Sequence, residues 1–353
     1  MRLMTLYIMI IFSFSFSSLK AETVNLLNWW NYIAPQVIEK AEKKGFKINL
    51  TIYKNEEVAV TRLMHNKDGF DLVIISNTGI EPLLKSEKII KNAFKNVNRE
   101  KEYFEFTKDF AKNCLPFLWT ATVFTYDPRY TKKIPDNIYD LISLKDEGYR
   151  LGIVDDLFEF SSRLILDSEE TCGINIDKID NKNVFGVLDK CKQDDFIKVP
   201  KNLSPSDFVN RVRDFQTASK VAVYGWHGAA KHLHKRGNWL KYVVPKKHLV
   251  ISYDAVCIVN KRHQKIPKER LIYLAKLLTN KENADLNASY TQSFSPYKTA
   301  SPNVLQDKIK DLFNEIKTNI DKLNFVIINN LPTGETNKKL NTWWRKVRYE
   351  KEH

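Results

Sequence analysis

Beyond its first residues this chain has no apolar stretch long enough to span a bilayer. It also has no internal repeat and no low-complexity linker. Its four cysteines, Cys114, Cys172, Cys191 and Cys257, are not closely paired, so metal-ligand spacing is absent. No G-x-S-x-G, Walker loop or G-x-G-x-x-G occurs. His227 has no second His or Cys at ligand spacing, and His232 and His234, two apart, do not share a helix face. These absences leave no metal, no cofactor and no catalytic nucleophile to expect. The charge is strongly positive, 56 Lys and Arg against 42 Asp and Glu, but Lys far outnumbers Arg. Without an Arg-rich stripe or an RNA-binding signature, the excess reads as a solvated Lys-rich surface and not as a nucleic-acid site.

The first residues carry an address. Arg2 provides a small positive region, Leu3–Phe16 is apolar but short, and Ser17-Ser18-Leu19-Lys20-Ala21 resembles a cleavage site. A leader over residues 1–21 is expected, with export to the periplasm. Without Arg2 and Lys20 the balance is 54 basic against 42 acidic, a net +12. About 330 residues then remain, enough for two domains. In an exporting context cysteines oxidise. Cys172 and Cys191 are placed to close a short loop, while Cys114 and Cys257, in apolar surroundings, read as buried free thiols.

The chain opens with a pattern of strand and helix. Val24–Leu27 is a short apolar strand, and Pro35 opens a helix that Gly45 ends. Lys47–Tyr53 alternates as a second strand, Asn55 caps a helix to about Asn66, Asp71–Ser76 is a buried third strand and Ile80–Lys88 is helical. This βαβαβα order predicts a parallel sheet with right-handed crossovers. Two long β-prone runs, Leu115–Tyr126 and Leu249–Val259, are placed to pass between domains. Between them lie strands at Tyr149–Val154, Val221–Tyr224 and Leu240–Val244, and helices at Glu159–Asp167, Asn181–Lys192 and Ser206–Ala218. Helices at Pro267–Leu278, Asn283–Ser289, Val304–Lys317 and Lys338–Arg348 complete the pattern. The fold expected is α/β with two lobes, residues 22–124 plus 254–301 forming one and 125–253 plus 302–353 the other.

The residues that rise above background are carboxylates and large rings at strand ends, where open α/β sheets bind ligands. Trp29, Trp30 and Tyr32 follow the first strand. Asp155, Asp156 and Glu159 follow another and open a helix, with Asp156 and Glu159 on one face. That pair reads either as a ligand-binding pair, as a helix cap, or as an acid/base pair of a sugar-cleaving enzyme. Trp226 sits between glycines in Gly225-Trp226-His227-Gly228, and Asp254 interrupts an apolar strand, where a buried carboxylate needs a partner. Rings and carboxylates together suit an organic cation.

On these residues the chain resembles the periplasmic spermidine/putrescine-binding proteins of ABC importers, of the PotD/PotF type. The likeness lies in Asn28-Trp29-Trp30-Asn31-Tyr32-Ile33-Ala34-Pro35, Gly69-Phe70-Asp71-Leu72-Val73, Pro116–Thr122, Asp155–Glu159 and Trp226-His227-Gly228. The resemblance implies a type II periplasmic binding protein fold that closes at a hinge on a polyamine. It also implies ring contacts from Trp29, Tyr32 and Trp226, a polar contact from Ser76, an acidic pair in Asp156 and Glu159, and a cleft carboxylate in Asp254. Phe294 stands where a tyrosine is usual, Thr78 where spermidine binders have an aromatic, and Ser252 where Trp or Phe is usual. The implied partner is an inner-membrane permease, with the binding protein a monomer. A sensor that docks a signalling receptor is the alternative with the same ligand.

Overall fold

A computed structural model describes residues 21–65, 69–97, 100–175, 184–191, 200, 203–209, 220–228, 239–245, 248–319, 325–328, 332 and 334–349. The leader up to residue 20, the His232 and His234 pair and residues 210–218 of an expected helix lie outside them.

The opening alternation forms as expected: β1 (Glu22–Trp29), α1 (Pro35–Lys43), β2 (Phe46–Tyr53), α2 (Glu56–His65), β3 (Leu72–Ser76) and α3 (Asn77–Lys85). β1 pairs in parallel with both β2 and β3. The side-chain alternation of strands then decides the packing. Leu26, Leu72 and Ile74 face α1, with its Val37 and Ala41. Leu27, Val73 and Ile75 face α2 and α3, with Ala59, Leu63, Ile80 and Leu83. A strand covered on both faces has no polar side to show, which is why β3 reads as a continuous apolar run.

β4 (Cys114–Tyr126) is followed by α4 (Ile138–Ser143), β5 (Arg150–Val154) and α5 (Leu157–Asp167). Next come a small hairpin of β6 (Glu170–Thr171) and β7 (Ile174–Asn175), then β8 (Phe208–Val209), β9 (Val221–Trp226), β10 (Lys241–Val243) and β11 (Leu249–Ile258). The remainder is α6 (Lys268–Leu278), α7 (Lys281–Thr291), α8 (Asp307–Thr318), β12 (Phe325–Ile327) and α9 (Gly334–Tyr349). One sheet runs in the order β2-β1-β3-β11-β4-β9-β5-β8, with β10 on β4 and β12 on β11.

The two long runs are the strands that join its halves. β11 pairs antiparallel with β3 over Asp254–Ile258, and β4 pairs antiparallel with β9 over Thr122–Tyr126. β4 and β11 also pair with each other, with a break in register between Asp254 and Ala255, opposite Leu118 and Pro116. A proline has no N–H to give the ladder, so a central strand tolerates Pro116 where the ladder is already broken. On the far side of these strands a separate core gathers Phe124, Ile153, Phe160, Phe185, Tyr224 and Leu340.

Three expectations are corrected. Cys114 and Cys257 are not free thiols: they are bonded to each other, and they are direct partners in the β4–β11 register with Cα atoms 4.4 Å apart. They lie 143 residues apart in sequence, so only the register reveals the pair. Cys172 is bonded to Cys191, as the short loop suggested. Within Asn181–Lys192, Val184–Lys190 is a 3₁₀ turn and not an α-helix. At Ser206–Val209 the expected helix is replaced by one 3₁₀ turn, Pro205–Asp207, and then β8. Ser204 and Asp207 do form the capping box that signals a helix. However, Phe208 and Val209 pair in parallel with Ile153 and Val154 of β5, and that tertiary partner overrides the local signal. β12 is an addition to the expected elements.

Candidate functional site

The site is built where strands of both halves end. β1 ends in Trp29, whose register partner on β2 is Tyr53, and the two rings touch with centroids 4.3 Å apart. The chain then turns through Asn31, in the left-handed region at φ 56°, which brings Tyr32 back over Phe117 of β4. Both rings present a donor to one carboxylate. Trp29 Nε1 donates to Asp254 Oδ1 at 2.9 Å, and Tyr32 Oη donates to Asp254 Oδ2 at 2.5 Å. Asp254 lies at the break in the β4–β11 ladder and is only 8% exposed. Burial pushes its carboxyl up to about 6, against the two hydrogen bonds that favour the charged form.

The second acidic point is at the start of α5. Asp156 is the N-cap: its Oδ1 accepts from the backbone N–H of Phe158 and of Glu159. The helix-cap reading therefore holds for Asp156. Glu159, one turn in, is buried and points to the sheet. It accepts from Thr122 Oγ1 at 2.9 Å and from Trp226 Nε1 at 3.2 Å. These donors are direct register partners on β4 and β9, so the antiparallel pair sets both of them. Burial, with the charge of Asp156 adding to it, pushes Glu159 up to about 7, and burial also raises Asp156.

Trp226 meets Trp29 edge-on, with centroids 6.5 Å apart and planes at 63°. The two acidic points and their rings thus form one connected group. Ser76, at the end of β3, is the register partner of Asp254. The Ser252 hydroxyl lies 3.0 Å from that of Thr120 and favours the charged form of Glu159. Phe294 lies apart. It is fully buried, stacked on His227 at 3.9 Å and packed on Trp119 at 4.5 Å. Among the described residues no ring contact joins it to Trp29 or Trp226. His227 is itself buried, and that burial lowers its pKa to about 4, so the ring is neutral. Gly228 serves a close approach, but to the chain: a Cβ there would lie 3.2 Å from the Gln292 carbonyl. Asp155, next to the pair, faces away and pairs with Arg348 of α9.

One site residue escaped the sequence reading. Glu56 opens α2, directly after the Asn55 side chain that accepts from the Val58 N–H. An acidic residue in a first helical turn is ordinary, and nothing in the pattern separates Glu56 from exposed Glu57. In the structure Ser76 Oγ donates to Glu56 Oε1 at 2.8 Å, which puts Glu56 beside Asp254. Among the described residues Asp254, Glu56, Asp156 and Glu159 have no Lys or Arg partner, and no group of three or more His, Cys, Asp or Glu is arranged to hold a metal ion. The arrangement offers buried negative charge faced by aromatic rings and hydroxyls.

No protein-family model matches the chain. Curated proteins match part of it. The putrescine-binding periplasmic protein SpuD of Pseudomonas aeruginosa is 27% identical over 134 residues, 34% of this chain and 36% of the relative. The putrescine-binding periplasmic protein PotF of Escherichia coli is 31% identical over 150 residues, 38% of this chain and 40% of the relative. The chain thus spans about two fifths of the length of these relatives. Similarity to solved structures is far wider. A protein of Listeria monocytogenes named for a spermidine/putrescine ABC transporter has a TM-score of 0.73 at 18% identity, covering 94% of this chain and all of the other. The spermidine/putrescine substrate-binding protein PotD of Streptococcus pneumoniae gives 0.67 at 16%, covering 93% and all of the other. The fold is that of the type II solute-binding proteins, and part of the sequence is similar to the putrescine-binding proteins. The same fold, at a TM-score of 0.61 and 13% identity, includes a maltodextrin-binding protein of L. casei, so fold alone selects no ligand.

Proposed function

We propose that this chain is a polyamine-binding protein that works outside the cytoplasm and hands its ligand to an ABC permease in the inner membrane. The observation that carries the reading is the group of buried carboxylates without, among the described residues, a basic partner, walled by Trp29, Tyr32 and Trp226. Buried negative charge is costly unless a cation meets it. A linear polyamine brings several ammonium groups on a thin apolar chain. Each ring face contributes about 0.5–2 kcal/mol by cation–π contact, and each charge-assisted hydrogen bond roughly 1.5–3 kcal/mol. After ordering costs these suffice for micromolar binding, near roughly −8 kcal/mol.

In this reading residues 22–124 plus 254–301 make one lobe, 125–253 plus 302–353 make the other, and residues 1–21 are a cleaved leader. Trp29, Tyr32, Ser76 and Asp254 line one wall of the cleft, and Asp156, Glu159 and Trp226 the other, while Phe294 supports the wall from behind. The relatives are named as binding proteins, and the work is capture with no bond made or broken. Native mass spectrometry of protein purified from cells is expected to show a retained mass equal to a polyamine. Calorimetry on unfolded, stripped and refolded protein is then expected to show micromolar or tighter binding. The reading fails if neither putrescine nor spermidine binds the stripped protein.

A further inference from the structure

Glu56 has a feature that the polyamine reading, as drawn from the family-like residues, leaves unused. Its two carboxylate oxygens are in different situations. Oε1 accepts from the Ser76 hydroxyl, which also lies 2.6 Å from that of Thr78. Oε2 is buried and, among the described residues, has no hydrogen-bond partner. A buried carboxylate oxygen without a donor is costly, and the surrounding residues do not relieve the cost. The groups that bear on Glu56 are themselves acidic or neutral: Asp254 from β11, Asp156 from the start of α5, Ser76 from β3 and Tyr53 from β2. Space is kept for it as well. Gly79 of α3 has an ordinary negative φ, yet a Cβ there would collide with Glu56 Oε1 and lie 2.8 Å from Ile75 Cδ1. That glycine leaves room at Glu56 and does not serve a turn.

We propose that Glu56 is a ligand-binding carboxylate that holds an additional amino group beside Asp254, so that the cleft selects linear polyamines with three or more amino groups over diamines. This rests on the polyamine reading above. Asp254 and Ser76 are partners on adjacent antiparallel strands, so their side chains share one face of the sheet. The Ser76 hydroxyl links that face to Glu56. One wall therefore offers Asp254 and Glu56, and the start of α5 offers Asp156 and Glu159. Four carboxylates that have no basic partner among the described residues match three or four ammonium charges better than two. Burial pushes Glu56 up to about 8, so most of the population carries a proton near neutral pH. An ammonium arriving at Oε2 favours the charged form and expels that proton.

The test is calorimetry with putrescine and with spermidine on the parent, Glu56→Gln and Glu39→Gln. Each titration is repeated at pH 7.5 in two buffers of different ionisation enthalpy, which counts protons released. Glu39 is an exposed residue of α1 and controls for the loss of one charge at a distance. The parent is expected to prefer spermidine and to release protons on binding it. Glu56→Gln keeps the shape and the Ser76 contact. It is expected to lose about ten- to a hundredfold in spermidine affinity, less than about threefold in putrescine affinity, and part of the proton release. Glu39→Gln is expected to match the parent. Unchanged spermidine affinity and proton count in Glu56→Gln would mean that Glu56 is a neutral hydrogen-bonded acid, and would overturn the proposal. Equal losses on both amines would overturn the selection by amino-group number. If the parent binds neither amine, the polyamine reading itself falls, an outcome distinct from both.

Discussion

Asp254 is the residue on which the first wall depends. Its two oxygens hold Trp29 and Tyr32 in place, and it lies beside the break in the ladder. Asp254→Asn removes the charge and keeps the shape. Polyamine affinity is expected to fall by roughly 1.5–3 kcal/mol, about ten- to a hundredfold by calorimetry. The same variant carries a pH signature. The folded carboxyl titrates near 6, above its ordinary 3.8, so between these values the folded protein holds a proton that the unfolded chain releases. Stability from this group is therefore lost as pH rises from about 4 to about 6. Urea melts of ligand-free protein should show Asp254→Asn gaining on the parent across that window and levelling above it. A difference that stays flat would mean that the carboxyl is solvated, and one that shrinks with rising pH that its charged form is favoured.

At the scale of elements, α9 ties the end of the chain to the acidic site without entering it. Trp343 and Trp344 pack on Phe160 of α5, and Arg348 pairs with Asp155 just before the Asp156 cap. The pair is largely buried, with side-chain exposures of 16% and 9%. Breaking it leaves a charge without its partner. Asp155→Asn is expected to cost about 1–3 kcal/mol of stability in urea melts while changing polyamine affinity less than about threefold. A large affinity loss with unchanged stability would assign the wrong carboxylate to the cleft. The pattern Asp155-Asp156-x-x-Glu159 looks like one acidic unit in sequence, yet its three members do different work: an ion pair, a helix cap and a buried acceptor for Trp226 and Thr122.

At the scale of the molecule, the sheet is continuous from β2 to β8, and β4 and β11 carry it between the two halves. A ligand shared by Asp254 on one side and Glu159 on the other favours whichever arrangement lets it touch both, through that differential contact alone. Small-angle scattering is expected to show a smaller radius of gyration with spermidine than without. An unchanged radius with calorimetrically proven binding would count against closure about β4 and β11.

Local pattern alone determined much of this. The βαβαβα opening, the two long joining strands and the rings and carboxylates at strand ends were all readable, because burial on one or both faces imposes its period on the residues that form it. Trp29, Tyr32, Asp156, Glu159, Trp226 and Asp254 stood out as large rings or charges at the ends of apolar runs, and the structure gathers them into one group. What the pattern left open depended on partners distant in sequence. Cys114 meets Cys257 because two strands 143 residues apart share a register. Phe208 and Val209 are a strand because β5 lies beside them, despite a helix cap just before. Phe294 turns inward to His227 and Trp119, and Glu56 is brought to Asp254 by a hydroxyl on a third strand. A residue's own neighbours set its secondary structure, but which charge it meets across the sheet is settled only when the strands align.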